Sequence, residues 1–125
     1  MEDIVIIGAG VTGCSIAREL SRYDLNITVV EKEEDVACGS SKANSAIIHA
    51  GFDAAPGTWK AKMNVKGNGM FPALCEELDV PYINNGSLVV AVTEDEENVL
   101  EELLERGRTN GEQQLRIIGS DELLD

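Results

Sequence analysis

Glycines at positions 8, 10 and 13, in the stretch DIVIIGAGVTGCSIAREL (residues 3–20), are spaced so that each meets a different steric demand. Gly8 permits a tight turn out of a strand, Gly10 lets the backbone approach a pyrophosphate, and Gly13 lets a helix lie close on that strand. The helix begins near Val11 and Thr12, so its unpaired N–H groups and the positive end of its dipole face the phosphates. Alone the pattern is weak. It gains force from a strand directly before it, a helix directly after it, and an acid, Glu31, 18 positions beyond Gly13. A carboxylate there accepts hydrogen bonds from an adenosine ribose and repels a 2′-phosphate, which leaves FAD or NAD as the ligand and excludes NADP. A glycine-rich turn used only for packing is the bland alternative.

The elements that must position this loop are set by the hydrophobic patterning. Residues 3–7 are a β-branched run, residues 11–23 carry Val11, Ile16, Ala17 and Leu20 at helical spacing, and residues 27–30 are a second β-branched run. Strand, helix and strand in that order predict a parallel pair with a right-handed crossover. Residues 31–57 lose all periodicity and read as an extended loop with one helical turn or two. Thr58 caps a predicted helix to about Leu78, with Met63, Met70, Phe71, Leu74 and Leu78 on its apolar face, Gly67 and Gly69 admitting a close neighbour, and Pro81 ending it. Asn85-Gly86 between residues 82–83 and 87–92 predicts a β-hairpin. The TEDE run at 93–96 is a capping box for a helix with Val99, Leu100, Leu103 and Leu104 as its buried stripe, stopped by Gly107 and Asn110-Gly111. Residues 115–118 read as one more strand, and residues 120–122 as the start of another helix.

Composition narrows the partners. Ten basic against 23 acidic residues give a net charge of −13, and residues 94–105 hold seven acids and no base, so a nucleic-acid backbone would be repelled. The run itself reads as a solvated helix face. No apolar run approaches the ~20 residues of a membrane span, which leaves peripheral association open and points to a cytoplasmic protein. Cys14, Cys38 and Cys75 form no C-x-x-C pair, so no metal site is expected; reduced thiols are, with Cys14 buried between helix and sheet.

The residues after Glu31 favour FAD over NAD. A nicotinamide domain continues its winding with a third parallel strand, and residues 32–80 offer none. They offer GSSKANSAIIHAG (residues 39–51), small side chains and hydroxyls suited to line an extended dinucleotide, and no Tyr-x-x-x-Lys pair is present. The N-terminal 62 residues resemble the flavin-dependent oxidoreductases of the D-amino-acid-oxidase fold. Within that family, SSKANSAIIHAG, KAKMNVKGN, NNGSLVVA and RGRTNG resemble the FAD-dependent glycerol-3-phosphate dehydrogenases and, almost as well, the L-2-hydroxyglutarate oxidases. The resemblance implies an α/β fold: a Rossmann-like FAD-binding βαβ unit, incomplete, in residues 1–80, then the start of a substrate domain with a hairpin and helix in residues 81–125. Family members are several times longer, so the chain is expected to be a fragment, inactive alone and prone to self-association through exposed strand edges.

The reaction implied is hydride transfer to flavin from a small anionic hydroxy compound, glycerol 3-phosphate first and L-2-hydroxyglutarate second. The alternative of another class is a dinucleotide-binding or interaction module without turnover. Ser41, Asn44 and Ser45 can aim side-chain donors at the pyrophosphate and the flavin ring, as the matching family positions do; ordinary turn chemistry is the other reading. Lys32 either reaches the adenosine or pyrophosphate or is a surface lysine. His49 is the single histidine, with an unperturbed pKa of about 6.5, and is a candidate base for the substrate hydroxyl; a structural role is the alternative. Lys60 and Lys62 could attract an anion, but about 200° separates them on a helix, so they cannot share one. The electron acceptor, the flavin linkage and the oligomeric state are not legible.

Overall fold

The structure, a computed structural model, describes residues 1–123. The chain parts into two compact units, Met1–Ile47 and Ile48–Asp125.

In the first unit, β1 (Ile4–Ile7), α1 (Val11–Leu20) and β2 (Ile27–Val30) form the expected βαβ arrangement. The two strands pair in parallel with Ile4 opposite Ile27 and Ile7 opposite Val30. Both ends of this register are tied. At the start, Asp3 Oδ2 accepts the Asn26 backbone N–H at 2.9 Å and its side-chain amide at 3.1 Å. These bonds, the backbone one first, hold the Asp3 carboxyl below the usual aspartate range. At the end, the Gly8 N–H donates to Val30 O at 2.7 Å. α1 stops at Leu20, short of the expected Tyr23, because the chain tightens there: the Ser21 hydroxyl donates to Arg18 O and the Tyr23 N–H to Leu20 O.

Ile6 and Ala9 are buried, whereas Val5 and Ile7 are exposed. A sheet of two strands offers α1 only a narrow seat, and Cys14 is accordingly exposed instead of buried as expected. Residues 36–42 replace the expected helical turn with hydrogen-bonded turns, Lys42 N–H to Gly39 O and Ala43 N–H to Ser40 O. Ala37, at φ +58, cannot belong to a right-handed helix.

The second unit holds α2 (Trp59–Glu77), α3 (Glu94–Asn110) and the single-turn α4 (Ser120–Leu123). Thr58 caps α2 as expected, its hydroxyl accepting the Ala61 N–H at 3.2 Å. The buried side of α2 differs from the expected one. Ala61 and Cys75 are buried and Asn64, Val65 and Asn68 half-buried, while Met63, Met70 and Leu78 are about half exposed. Half-buried Asn68 on this side donates to His49 O. Gly67 and Gly69 have open space around them. The helix ends at Glu77, before Pro81, as Asp79 turns to φ +53; Pro72 sits within it.

The capping box of α3 is formed as read: Thr93 Oγ1 accepts from Glu96 N and Glu96 Oε2 accepts from Thr93 N. Val92 N–H joins at 2.7 Å, and these backbone donors, Val92 first, hold the Glu96 carboxyl below the usual range. Leu100, Leu103 and Leu104 are half-buried, and Val99 is exposed. Gly107 does not stop the helix. It lies buried within it, and Gly111, left-handed at φ +102, supplies the cap.

Neither the hairpin at 82–92 nor the strand at 115–118 is present; both segments lack ladder pairing. Gly86 has the positive φ (+73) that a tight turn requires, but Asn85 does not, so the turn is not one that brings two strands into register. A lone hairpin gains too little to form unsupported. The compact units part at 47–48 because α2 packs with α3. The reading of residues 1–80 and 81–125 as two domains concerns which ligand they line and is a separate division. No helix among the described residues is long and apolar enough to cross a membrane.

Candidate functional site

The glycine loop is built as a ring of backbone groups held by side chains. Ala9, between the first two glycines and 4% exposed, is its hub. Its N–H donates to Glu31 Oε2 at 2.7 Å, and its carbonyl accepts the Ala37 N–H at 3.0 Å and the Cys14 thiol at 3.4 Å. Glu31 Oε1 accepts the backbone N–H groups of Lys32 and Glu33 at 2.8 and 3.2 Å. Ala9 first, then Glu33 and Lys32, these donors hold the Glu31 carboxyl below the usual glutamate range, so it is ionised throughout the neutral range. Oε1 is filled by its two donors, and Oε2 keeps one acceptor site beyond the Ala9 bond.

Two glycines are required by what surrounds them. A Cβ on Gly13 would fall 1.9 Å from Gly8 O, so only glycine lets α1 lie this near the turn leaving β1. A Cβ on Gly10 would meet Ser41 Oγ at 3.1 Å. Gly10 is the N-cap of α1 without any side-chain cap of its own, and the Ser41 hydroxyl takes up that task by accepting the Val11 N–H at 2.8 Å. The first intrahelical bond is Cys14 N–H to Gly10 O, which leaves the first-turn N–H groups, those of Thr12 and Gly13 included, directed out of the helix end.

Around this loop lies an open cleft of about 390 Å³, at the carboxyl ends of β1 and β2. Gly8, Gly10, Glu31, Lys32 and Ser41 all line it, with Ala37 to Ser40 as the opposite wall. Its size falls in the range of small-molecule sites, and its position is where open parallel sheets bind their ligands. Lys32 contributes along its backbone; its ammonium lies in solvent beside Glu33 at 3.2 Å.

Other expected residues are not brought to this cleft. Thr12 is exposed on the first turn of α1. Asn44 spends both ends of its amide on its own turn, donating to Ser41 O and accepting from Ala46 N at 2.8 Å each, and Ser45 is exposed outside the lining. His49 belongs to the second unit, its ring exposed and its carbonyl accepting Asn68 Nδ2 at 3.0 Å. Lys60 pairs with Asp53 at 3.5 Å, and Lys62 lies over the Trp59 ring. Ala9 and Ala37 escape a reading of the sequence. Ala9 is flagged only by its place inside the glycine spacing, and nothing local marks Ala37. No cluster of metal-ligating side chains occurs among the described residues.

The family model described as FAD dependent oxidoreductase matches residues 3–125. The chain belongs to this family. Among curated relatives, the glycerol 3-phosphate dehydrogenase of Caloramator mitchellensis is 56% identical over 125 residues, which is 100% of this chain and 26% of that protein. The mitochondrial L-2-hydroxyglutarate dehydrogenase of Caenorhabditis briggsae is 38% identical over 98% of the chain and 29% of its own length. A solved structure of dithionite-reduced L-α-glycerophosphate oxidase from Mycoplasma pneumoniae with FAD bound matches with a TM-score of 0.76 at 37% identity, over 93% of this chain and 30% of that one. The chain thus spans between a quarter and a third of the length of these family members.

Proposed function

We propose that this chain supplies the adenosine- and pyrophosphate-binding part of an FAD-dependent oxidoreductase acting on glycerol 3-phosphate. The observation that carries the reading is the glycine loop with Glu31, preformed beside an open cleft, in a chain 56% identical along its whole length to a glycerol 3-phosphate dehydrogenase. What supports a cofactor here is the lining: Gly10, without a side chain, and Glu31, whose carboxyl is held low, both border the cleft. Residues 1–80 then serve the cofactor and residues 81–125 begin a substrate domain.

In this reading the first-turn N–H groups of α1 hold the pyrophosphate, and the Ser41 hydroxyl, which accepts from Val11 N–H, gives its own hydrogen to a phosphate oxygen. Glu31 accepts from a ribose hydroxyl with the one Oε2 lone pair that the loop does not use. Bound FAD supplies the acceptor for the hydride of the substrate C–H. His49 removes the proton from the substrate hydroxyl oxygen as the C–H bond breaks. L-2-hydroxyglutarate is the second substrate reading, favoured by relatives such as that of Caenorhabditis briggsae.

Titration of the protein with FAD, NAD and ADP, followed by quenching of flavin fluorescence and by thermal shift, tests the cofactor. FAD and ADP should bind, and NAD, which carries the same adenosine diphosphate half, should compete more weakly than FAD. Gly10→Val should weaken FAD by about 10-fold or more while leaving the fold intact. Retention of full affinity would refute the site. In the full-length enzyme, anaerobic bleaching of the bound flavin by glycerol 3-phosphate, but not by L-2-hydroxyglutarate, tests the substrate.

A further inference from the structure

The segment from His49 to Ala54 has no regular secondary structure, yet its main chain is held at several points, all within the second unit. Asn68 Nδ2, from α2, donates to His49 O at 3.0 Å. Asn110 Nδ2, from the last residue of α3, donates to both Gly51 O and Ala54 O at 2.8 Å. Both amide hydrogens of Asn110 are thereby used, and with two carbonyls as its neighbours the amide can face only one way. Gly51 and Ala54 are buried. Gly51, at φ +99, is wedged so tightly that a Cβ would stand 2.6 Å from Val65 Cγ2, and a Cβ on Gly107 would meet Phe52 Cβ at 3.1 Å.

We infer that Asn110, assisted by Asn68, is a positioning residue: it locks the main chain from His49 to Ala54 and so fixes the base two residues before Gly51 in the geometry that proton removal needs. The inference rests on the proposed role of His49. In this assignment Asn110 acts only through the main chain that it holds, at Gly51 O and Ala54 O. Its contribution is to keep an otherwise loop-like strap from sampling orientations in which the imidazole is out of reach, and displacements on the order of 1 Å in such a group lower rates by about 100-fold.

Asn110→Asp keeps the size but removes both donors and sets a carboxylate against two carbonyls. Asn68→Ala removes a single bond at lower risk to the fold, and Asn110→Gln restores an amide. In the FAD-loaded full-length enzyme that contains these residues, Asn110→Asp should slow flavin reduction at saturating substrate by about 10- to 100-fold and Asn68→Ala by several-fold. The FAD dissociation constant and the half-saturating substrate concentration should stay within about 2-fold, and Asn110→Gln should recover part of the rate. Backbone NMR relaxation of residues 49–54 should show increased motion in the slowed variants. Unchanged order in this segment, or lost order with an unchanged reduction rate, would overturn the inference, as would FAD release in parallel with the rate. Failure of the wild-type full-length enzyme to bind FAD or to be reduced by either hydroxy substrate would instead overturn the proposed function, and the positioning role with it.

Discussion

The two loops that carry candidate site residues are tied with opposite polarity. In the first unit the glycine loop gives its N–H groups to a carboxylate and a hydroxyl, Ala9 to Glu31 and Val11 to Ser41. In the second, the strap after His49 gives its carbonyls to side-chain amides, those of Asn68 and Asn110. The first arrangement uses those two donors and leaves the N–H groups of Thr12 and Gly13, at the helix start, for an anion. The second consumes acceptors and shapes the chain without recruiting charge. One set of ties therefore titrates and the other does not.

The largest expected effect separates the tight glycines of the two units. Gly13→Ala drives a Cβ into a backbone oxygen at 1.9 Å, which neither the strand nor the helix can yield, and should cost about 3 kcal/mol in urea unfolding along with dinucleotide binding. Gly107→Ala meets Leu115 Cδ1 at 2.1 Å, the end of a rotatable side chain, and its helical position gains about 1 kcal/mol of propensity. It should cost about 1 kcal/mol net. Equal losses would mean that the two close approaches are alike and that the backbone contact is not special.

Glu31→Gln sharpens the polarity contrast. It replaces a charged acceptor of three backbone donors by a neutral one and should weaken FAD by about 10- to 100-fold. The wild-type carboxyl is held low in the folded state, so its stabilising contribution is present in full above the unfolded glutamate pKa and is lost as pH falls through the lower folded value. FAD affinity in the wild type should therefore decline on acidification below the usual carboxylate range and be flat above it, while Glu31→Gln should lack that Glu31-dependent decline. The Asn110 ties should persist at the same pH, visible as slow exchange of its side-chain amide protons. Acid loosening of both loops together would break the comparison. Glu96 is held low in the same sense, and Glu96→Gln separates its share from that of Glu31.

A smaller effect is expected at the start of α3. Thr93→Ala removes the hydroxyl that accepts the Glu96 N–H and should destabilise the second unit by about 1 kcal/mol in urea unfolding, with FAD affinity unchanged. A change in FAD affinity would show that the second unit's stability governs the first unit's site.

What could be read from the residues depended on how far away the partner lay. β2 and α1 begin where the patterning puts them, and the cap at Thr58 and the box at 93–96 are formed, because each is settled by contacts within a few residues or by one helix crossing. Of the candidate site, Gly8, Gly10, Glu31, Lys32 and Ser41 do meet at one cleft. Asn44 and Ser45 carry suitable donors, but donor chemistry says nothing about direction, and the turn claims Asn44 for itself.

The sequence by itself determined the βαβ unit, the glycine loop and the acid that closes it, since glycine spacing and β-branched runs encode backbone conformation directly. Only the tertiary structure decided that residues 82–92 and 115–118 stay unpaired, for a strand exists only where another offers its ladder, whatever its own pattern. It alone decided, too, that α2 turns Asn68 inward in place of Met70, and that Asn110 reaches back 59 positions to Gly51. A side-chain amide satisfying a distant carbonyl leaves no periodicity behind, so that contact becomes visible only when the chain is folded.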